Sequence, residues 1–395
     1  MLELKHDLKL HKTRDEKARM NFVSGLRGYV LNDMANGMRA VFDAEVAPLA
    51  QRTLRRAPKD GPEVHKAIKS NEYFKFYSST RVATQDMVWQ SVFPPLDRQR
   101  DDLKKKACAL AARGGKGSAN IKPGFVVPRS ASAIDVHLMP GNYDSEYDQD
   151  DLAAGALYDN GLAVFSFGLM GQNLDDIGQS IAGFVHHKYP DFKPKRILDL
   201  GCTIGHNTGA WKDHFPGAEV HGIDVAAPGL RYGLARAQAQ DREVHFHQMN
   251  AESVEFADQS FDVVFSSMFL HEVPRKGIEQ VVREAHRLLR PGGLMIHMEL
   301  PPNSQLSPYD AFYLDWDSYY NNEPFYKPFR DLDPLALCVR AGFKRNNYVQ
   351  YVVPSVGWYG EDAVRSAATA QQAVDSDKTG RLADGIRWYC FGAWK

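Results

Sequence analysis

Residues 196–208 read RILDLGCTIGHNT, an apolar run that ends in an acid and then breaks into a glycine-bearing turn. The spacing predicts a short buried strand carrying Asp199 at its end, a tight turn holding Gly201 and Gly205, and a helix that opens directly after it. Glycine at such a turn lets a ligand approach the backbone with no Cβ in the way. The start of the helix offers free amide groups to an anionic or polar ligand end. The next strand, VHGID, ends at Asp224, 19 residues beyond Gly205. A carboxylate at the tip of a second strand is placed to accept hydrogen bonds from both hydroxyls of a ribose.

Two cofactor classes use this geometry. A dinucleotide fingerprint, Gly-x-Gly-x-x-Gly, requires glycine at 201, 203 and 206, and this chain has Thr203 and His206. Asp199 inside the first turn would repel a pyrophosphate and attract a cation such as a methionyl ammonium. Charge therefore favours S-adenosylmethionine over a nicotinamide or flavin dinucleotide.

Outward from this turn, strand and helix alternate from residue 195 on, the pattern of a parallel α/β sheet. RILDL, VHGID, VHFHQ, FDVVF and GLMIHMEL read as short buried strands. Ile278, Val281, Val282, Ala285, Leu288 and Leu289 recur at helical spacing before Pro291-Gly292-Gly293 ends the helix. FKRNNYVQYVV and IRWYCFGAW complete seven strands, with a helical segment between these last two.

With these segments in order, residues 190–300 resemble the class I S-adenosylmethionine-dependent methyltransferases. Asp199-Leu200-Gly201-Cys202-Thr203-Ile204-Gly205 is similar to that family's first motif, and Gly222-Ile223-Asp224 to its second. Asn250-Ala251-Glu252 resembles the adenine-side segment, residues 261–267 (FDVVFSS) the fourth strand, and residues 288–293 (LLRPGG) the turn before the fifth. The resemblance implies a seven-stranded Rossmann-like methyltransferase sheet. Its cofactor would be S-adenosyl-L-methionine and its product S-adenosyl-L-homocysteine. It implies that Asp199, Gly201, Cys202 and Gly205 face the methionyl part, Asp224 the ribose, and Val225 the adenine. Asn250 and Ala251 would reach the adenine amino group and ring edge, and the Ser266–Ser267 backbone would close the methionyl side. Thr203 is the departure, since many members have glycine there. An ordinary backbone conformation would accommodate it, whereas a left-handed one would put cofactor affinity in doubt.

The resemblance also bears on catalysis. Methyl transfer is an in-line displacement in which positioning supplies much of the rate, and an O or N acceptor must also lose a proton. His271 lies just past the fourth strand of the motif at the mouth of the fold, where it serves either as general base or as a loop cap. Glu299, at the end of the fifth, either contacts the acceptor or anchors the neighbouring loop. No metal ligand set is expected. His271-Glu272 lacks the second histidine of a zinc-protease motif because Arg275 stands there, and His245 with His247 makes only a lone pair.

The chain of 395 residues is long enough for two or three packed domains. Residues 1–124 read as a mainly helical cap or dimerisation region, with Val30, Met34, Met38, Val41 and Phe42 at helical spacing and one later helix stopping at Pro94 and Pro95. Residues 112–124, glycine-rich, read as a loop or hinge. Lys116 followed by Gly117 rules out a phosphate-binding P-loop there. Residues 125–185 form a connecting segment with an acidic, tyrosine-rich loop (GNYDSEYDQDD), which lacks the glycine and glutamate of a calcium-binding EF-hand. Residues 186–395 form the cofactor-binding domain. It carries an aromatic insertion at 301–330 that is either a lid over an apolar acceptor pocket or a packing platform for the N-terminal helices.

Forty-eight basic against 49 acidic residues give a net charge of −1, which argues against bulk attraction to nucleic acid. The charged N-terminus has no signal-peptide core, no run is long enough for a membrane span, and four scattered cysteines fit a reducing, cytoplasmic setting. The expected activity is methyl transfer to a small, aromatic or apolar-bodied acceptor, with a homodimer one use of the N-terminal region. The alternatives are a non-catalytic scaffold that keeps the fold, or a cofactor user doing other chemistry.

Overall fold

A computed structural model describes residues 3–370 and 386–395. The apolar runs read above form one sheet with β1 (Ser118–Asn120), β2 (Arg196–Leu200), β3 (Glu219–Asp224), β4 (His245–Gln248), β5 (Phe261–Ser267), β6 (Leu289–Glu299), β7 (Tyr348–Pro354) and β8 (Arg387–Trp394). Their order is β1-β4-β3-β2-β5-β6-β8-β7. β1 to β6 pair in parallel, and β8 runs antiparallel between β6 and β7. Chain order reverses at β2, which has β3 on one side and β5 on the other. In open α/β sheets ligands bind at the carboxyl ends of the strands beside such a switch point. Asp199 and Asp224 both stand at that edge.

Helices cover both faces because the central strands are apolar on both sides. On one face the helices Asp176–Lys188, His206–His214 and Glu361–Thr369 pack Phe184, Trp211 and Val364 against Ile197, Val263 and Phe265. On the other, Arg275–Leu288 and Pro334–Arg340 bring Ile278, Val282, Leu288 and Leu337 to Leu198, Val264 and Met295. The helical segment expected between β7 and β8 is present as Val356–Tyr359 and Glu361–Thr369; its remainder, 371–385, lies outside the described residues.

Three expectations are corrected. The 112–124 stretch is not all loop: residues 118–120 form an eighth, edge strand paired with 245–247. It is three residues long and polar, so no apolar pattern marks it. Gly117 (φ +87°) permits its approach, since a Cβ there would lie 2.2 Å from the Val244 carbonyl oxygen. In the FKRNNYVQYVV run, residues 345–347 form a 3-10 turn and the strand begins only at Tyr348. Third, Pro94 and Pro95 do not stop a helix. Glu72–Ala112 runs through both for 41 residues, about 60 Å at 1.5 Å per residue. Val88, Trp89 and Val92 before the prolines and Leu96 and Leu103 after them share one buried cluster. Packing on both sides therefore outweighs the two lost backbone bonds, which local sequence alone would make decisive.

The first helical stretch, Arg14 to Leu54, is continuous and contains two π-helical turns, Val30–Met34 and Phe42–Val46. Its buried positions Val30, Met34, Met38, Phe42, Val46 and Ala50 recur every four residues. A pure α-helix at 3.6 residues per turn would drift off that face, and the wider π turns keep the row aligned. From Val30 to Val46 that row packs on Tyr309, Phe312, Tyr313 and Trp316 of the insertion. Among the described residues no helix is long and apolar enough to cross a membrane.

Candidate active site

One cavity of about 290 Å³ opens at the carboxyl ends of β2, β3 and β5. Its walls include Asp199, Gly201, Cys202, Thr203, Asp224, Val225, Asn250, Ala251, Ser267 and His271. Of the residues expected at the site, Gly205, Ser266 and Glu299 stand outside the lining. Gly205 shapes the turn from behind with φ +72°. The Ser266 hydroxyl is 2.8 Å from Nδ1 of His297, buried between strands, because alternate residues of a strand face opposite ways.

The turn after β2 is held by backbone bonds to the end of β3 and within itself. Gly201 and Cys202 N–H groups donate to the Ile223 carbonyl, and Gly205 N–H to the Cys202 carbonyl. Gly201 has φ +70°, and a Cβ on it would lie 2.1 Å from the Phe269 ring. Thr203 also adopts a left-handed conformation, φ +52°. This is the strained case set out above, since a β-branched residue is disfavoured there by roughly 1–2 kcal/mol. The turn forms regardless, and the Thr203 N–H donates to Oδ2 of Asp224 at 2.9 Å.

Asp224 also accepts from the Ala226 N–H at 3.0 Å, leaving the remaining lone pairs of each oxygen to the cavity. Asp199 is buried. Its Oδ2 accepts from the Thr208 hydroxyl at 2.6 Å, while Oδ1 has no partner. Burial raises the Asp199 carboxyl well above its ordinary range; the Thr208 bond opposes the rise, and nearby Asp224 adds to it. Asp224 is raised by burial, against its backbone bonds. Two buried carboxyls on one wall, one with an orphan oxygen, fit a ligand that brings a cation and hydroxyl donors. Asn250 folds its Oδ1 back onto the Glu252 N–H at 2.9 Å, which fixes the loop after β4 at the cavity edge.

Opposite lies a charged cluster. Nδ1 of His271 is 2.6 Å from Oε2 of Glu299, and the imidazole stacks on Tyr326 at 3.8 Å between centroids. Burial alone would lower its pKa, but Glu299, Glu272 and Glu323 outweigh that and raise it to about 9. With that raised pKa His271 holds its proton at neutral pH, whereas the sequence left it either a general base or a loop cap. Glu299 accepts from the Phe269 and Leu270 N–H groups at 3.0 and 2.6 Å, so it anchors the turn after β5. The second side of the His271 ring faces Glu272 and Glu323, with Nε2 at 3.8 and 3.7 Å. His137 reaches the same two carboxylates at 3.5 Å each.

Sequence reasoning missed much of this wall. The connecting segment supplies His137, Tyr143, Tyr158 and Phe165, and the long N-terminal helix supplies Trp89. No local motif marks them. The aromatic insertion contributes Asp317, Asn321, Glu323 and Tyr326, whereas Tyr309, Phe312, Tyr313 and Trp316 pack on the N-terminal helices. Away from the cavity, His245 and His247 flank His221 on the neighbouring strand, and Glu219 lies 3.1 Å from His221.

Residues 197–293 match the protein-family description "Methyltransferase domain". The chain carries a class I, S-adenosylmethionine-dependent methyltransferase domain. The methyltransferase segment is 35% identical over 127 residues to a demethylmenaquinone methyltransferase of Thermus thermophilus, covering 32% of this chain and 55% of that protein. It is 30% identical over 142 residues to a malonyl-[acyl-carrier protein] O-methyltransferase of Pseudescherichia vulneris, covering 35% and 53%. The chain thus spans about half the length of these curated relatives. A putative O-methyltransferase structure from Nostoc punctiforme is similar over 91% of this chain and 96% of that one, at 16% identity and a TM-score of 0.42.

Proposed function

We propose that this protein transfers a methyl group from S-adenosylmethionine to a small acceptor with an aromatic or otherwise apolar body, releasing S-adenosylhomocysteine. The observation that carries this reading is the buried, unpartnered Oδ1 of Asp199 on the same cavity wall as Asp224. When bound, the cofactor supplies an electrophilic methyl carbon on a sulfonium. Asp199 holds the methionyl ammonium, beside the backbone of Gly201 and Cys202. Asp224 accepts from the ribose hydroxyls, and Val225, Asn250 and Ala251 flank the adenine, with Ser267 beside the methionyl end.

The acceptor class rests on the far wall of the cavity. Trp89, Tyr143, Tyr158, Leu162 and Phe165 make it largely apolar, with the His271 cluster as its polar end. Such a wall excludes water and orients an apolar-bodied ligand. The relatives named above differ in the acceptor their names give, so neither is transferred here. His271, held protonated beside Glu299, acts as a hydrogen-bond donor that positions an acceptor oxygen, and Glu299 acts through it as a positioning residue.

The test is release of S-adenosylhomocysteine with a panel of phenols, hydroxylated polycyclic aromatics, aliphatic amines, bulk RNA and bulk protein. Turnover on one of the aromatic acceptors, with the methylated product identified by mass, is expected. Turnover confined to RNA or protein would overturn the acceptor class. Cofactor breakdown without a methylated product would overturn methyl transfer itself.

A further inference from the structure

We propose that His137, Glu272 and Glu323, with the side-chain oxygen of Asn321, form a binding site for one divalent transition-metal ion at the acceptor end of the cavity. The proposal rests on the methyltransferase reading for its role, though not for its existence.

The residues come from three parts of the chain: the turn Val136–Leu138, the turn Leu270–Glu272, and the segment that follows the helix Pro308–Tyr320, which carries both Asn321 and Glu323. Their donor atoms all lie within 4.8 Å of one another. The closest pairs, His137 Nε2 to Glu272 Oε1 and His137 Nδ1 to Glu323 Oε1, are 3.5 Å apart. Ligands about 2.1 Å from a shared ion stand roughly 3–3.5 Å from each other; one imidazole gives an ion a single nitrogen, so one carboxylate is already at ligand spacing from it and the other closes in from within 4.8 Å. The position of His137 is fixed from behind. Its carbonyl oxygen accepts from Gln85 Nε2 and Trp89 Nε1, each at 2.8 Å.

Asn321 is the independent observation. It is 3% exposed, and its Nδ2 lies 2.6 Å from His137 Nδ1 and 3.1 Å from Glu323 Oε2, which places the amide at the cluster. Its Oδ1 is buried and has no partner. A buried amide oxygen left unpaired costs about 1–3 kcal/mol, and turning the amide over brings Oδ1 to the His137 and Glu323 side, where a cation would relieve that cost. One imidazole, two carboxylates and an amide oxygen suit Mn²⁺, Fe²⁺ or Zn²⁺ better than a soft ion. All four residues line the same cavity as Asp199 and Asp224, so open coordination positions face the acceptor space. An ion there would bind an acceptor oxygen and lower its pKa.

The experiment starts from full-length protein stripped with a chelator and uses Mn²⁺ followed by electron paramagnetic resonance and Zn²⁺ followed by calorimetry. One ion per chain is expected for each probe. Glu323→Gln and Asn321→Ala should weaken binding at least tenfold while S-adenosylmethionine affinity stays within twofold. No stoichiometric binding by the unaltered protein, or binding unmoved by both variants, overturns the proposal and leaves a closed ion-pair cluster. Because the cofactor is titrated separately, a protein that binds the ion and not the cofactor would sink the methyltransferase reading alone. The reverse result would sink the metal site alone.

Discussion

His271 Nδ1 and Glu299 Oε2 lie 2.6 Å apart in a pocket where both side chains are shut off from solvent, and the other Glu299 oxygen holds the Phe269 and Leu270 amides. One carboxylate thus fixes both a ring and the turn that carries it. With the His271 pKa raised from 6.5 to about 9, its stabilising contribution is complete below the unfolded value and fades as pH rises through the folded one. Thermal unfolding followed from pH 6 to 10 should show a loss between about 6.5 and 9, on the order of 3 kcal/mol in all. His271→Gln should be less stable at pH 6 and should flatten that slope. A slope unchanged in the variant would place the titration elsewhere.

Thr203 sits at φ +52° in a turn whose other left-handed positions, 201 and 205, are glycines. Thr203→Gly removes the clash of a β-branched side chain with its own backbone while keeping the N–H that donates to Asp224. It should stabilise the fold by about 0.5–1 kcal/mol and tighten S-adenosylmethionine binding. Denaturant midpoints and calorimetry decide it. Weaker binding in the variant would mean that the threonine side chain itself touches the ligand.

Trp316 belongs to the contact between the insertion and the N-terminal helices, where its Nε1 donates to the Ser78 hydroxyl at 2.9 Å. Trp316→Ala should cost about 3–5 kcal/mol of stability. At a temperature where the variant is still folded, the acceptor KM should move less than threefold. A large KM change without loss of stability would mean that Trp316 serves the lid and not the packing platform.

The sequence showed the strand–turn–helix around Asp199, the seven strands from residue 196 on and the Asp199–Asp224 side of the cavity, because each is written in a contiguous segment with its own period. What it hid is assembled from distant segments. Pro94 and Pro95 look like stops until Leu96 and Leu103 are seen in the same cluster as Val88 and Trp89. His137 and Glu323 carry no motif, and only the chain's path brings them to Glu272. The row from Val30 to Ala50 is readable as a helix, yet its exact fourfold step is explained only by the π turns. Tyr309, Phe312, Tyr313 and Trp316 were legible as an aromatic insertion with the N-terminal helices as one of its two uses, while the division between residues that pack there and residues that line the cavity was not.

The central claim is that the Asp199–Asp224 wall holds S-adenosylmethionine, and calorimetric titration of the purified protein with S-adenosylmethionine and S-adenosylhomocysteine tests it most directly. One site per chain with micromolar affinity is predicted for the unaltered protein. Asp199→Asn should weaken S-adenosylmethionine at least tenfold by removing the charge that faces its ammonium, and Asp224→Ala should abolish measurable binding of both. No binding by the unaltered protein, or equal binding in both variants, would contradict the account.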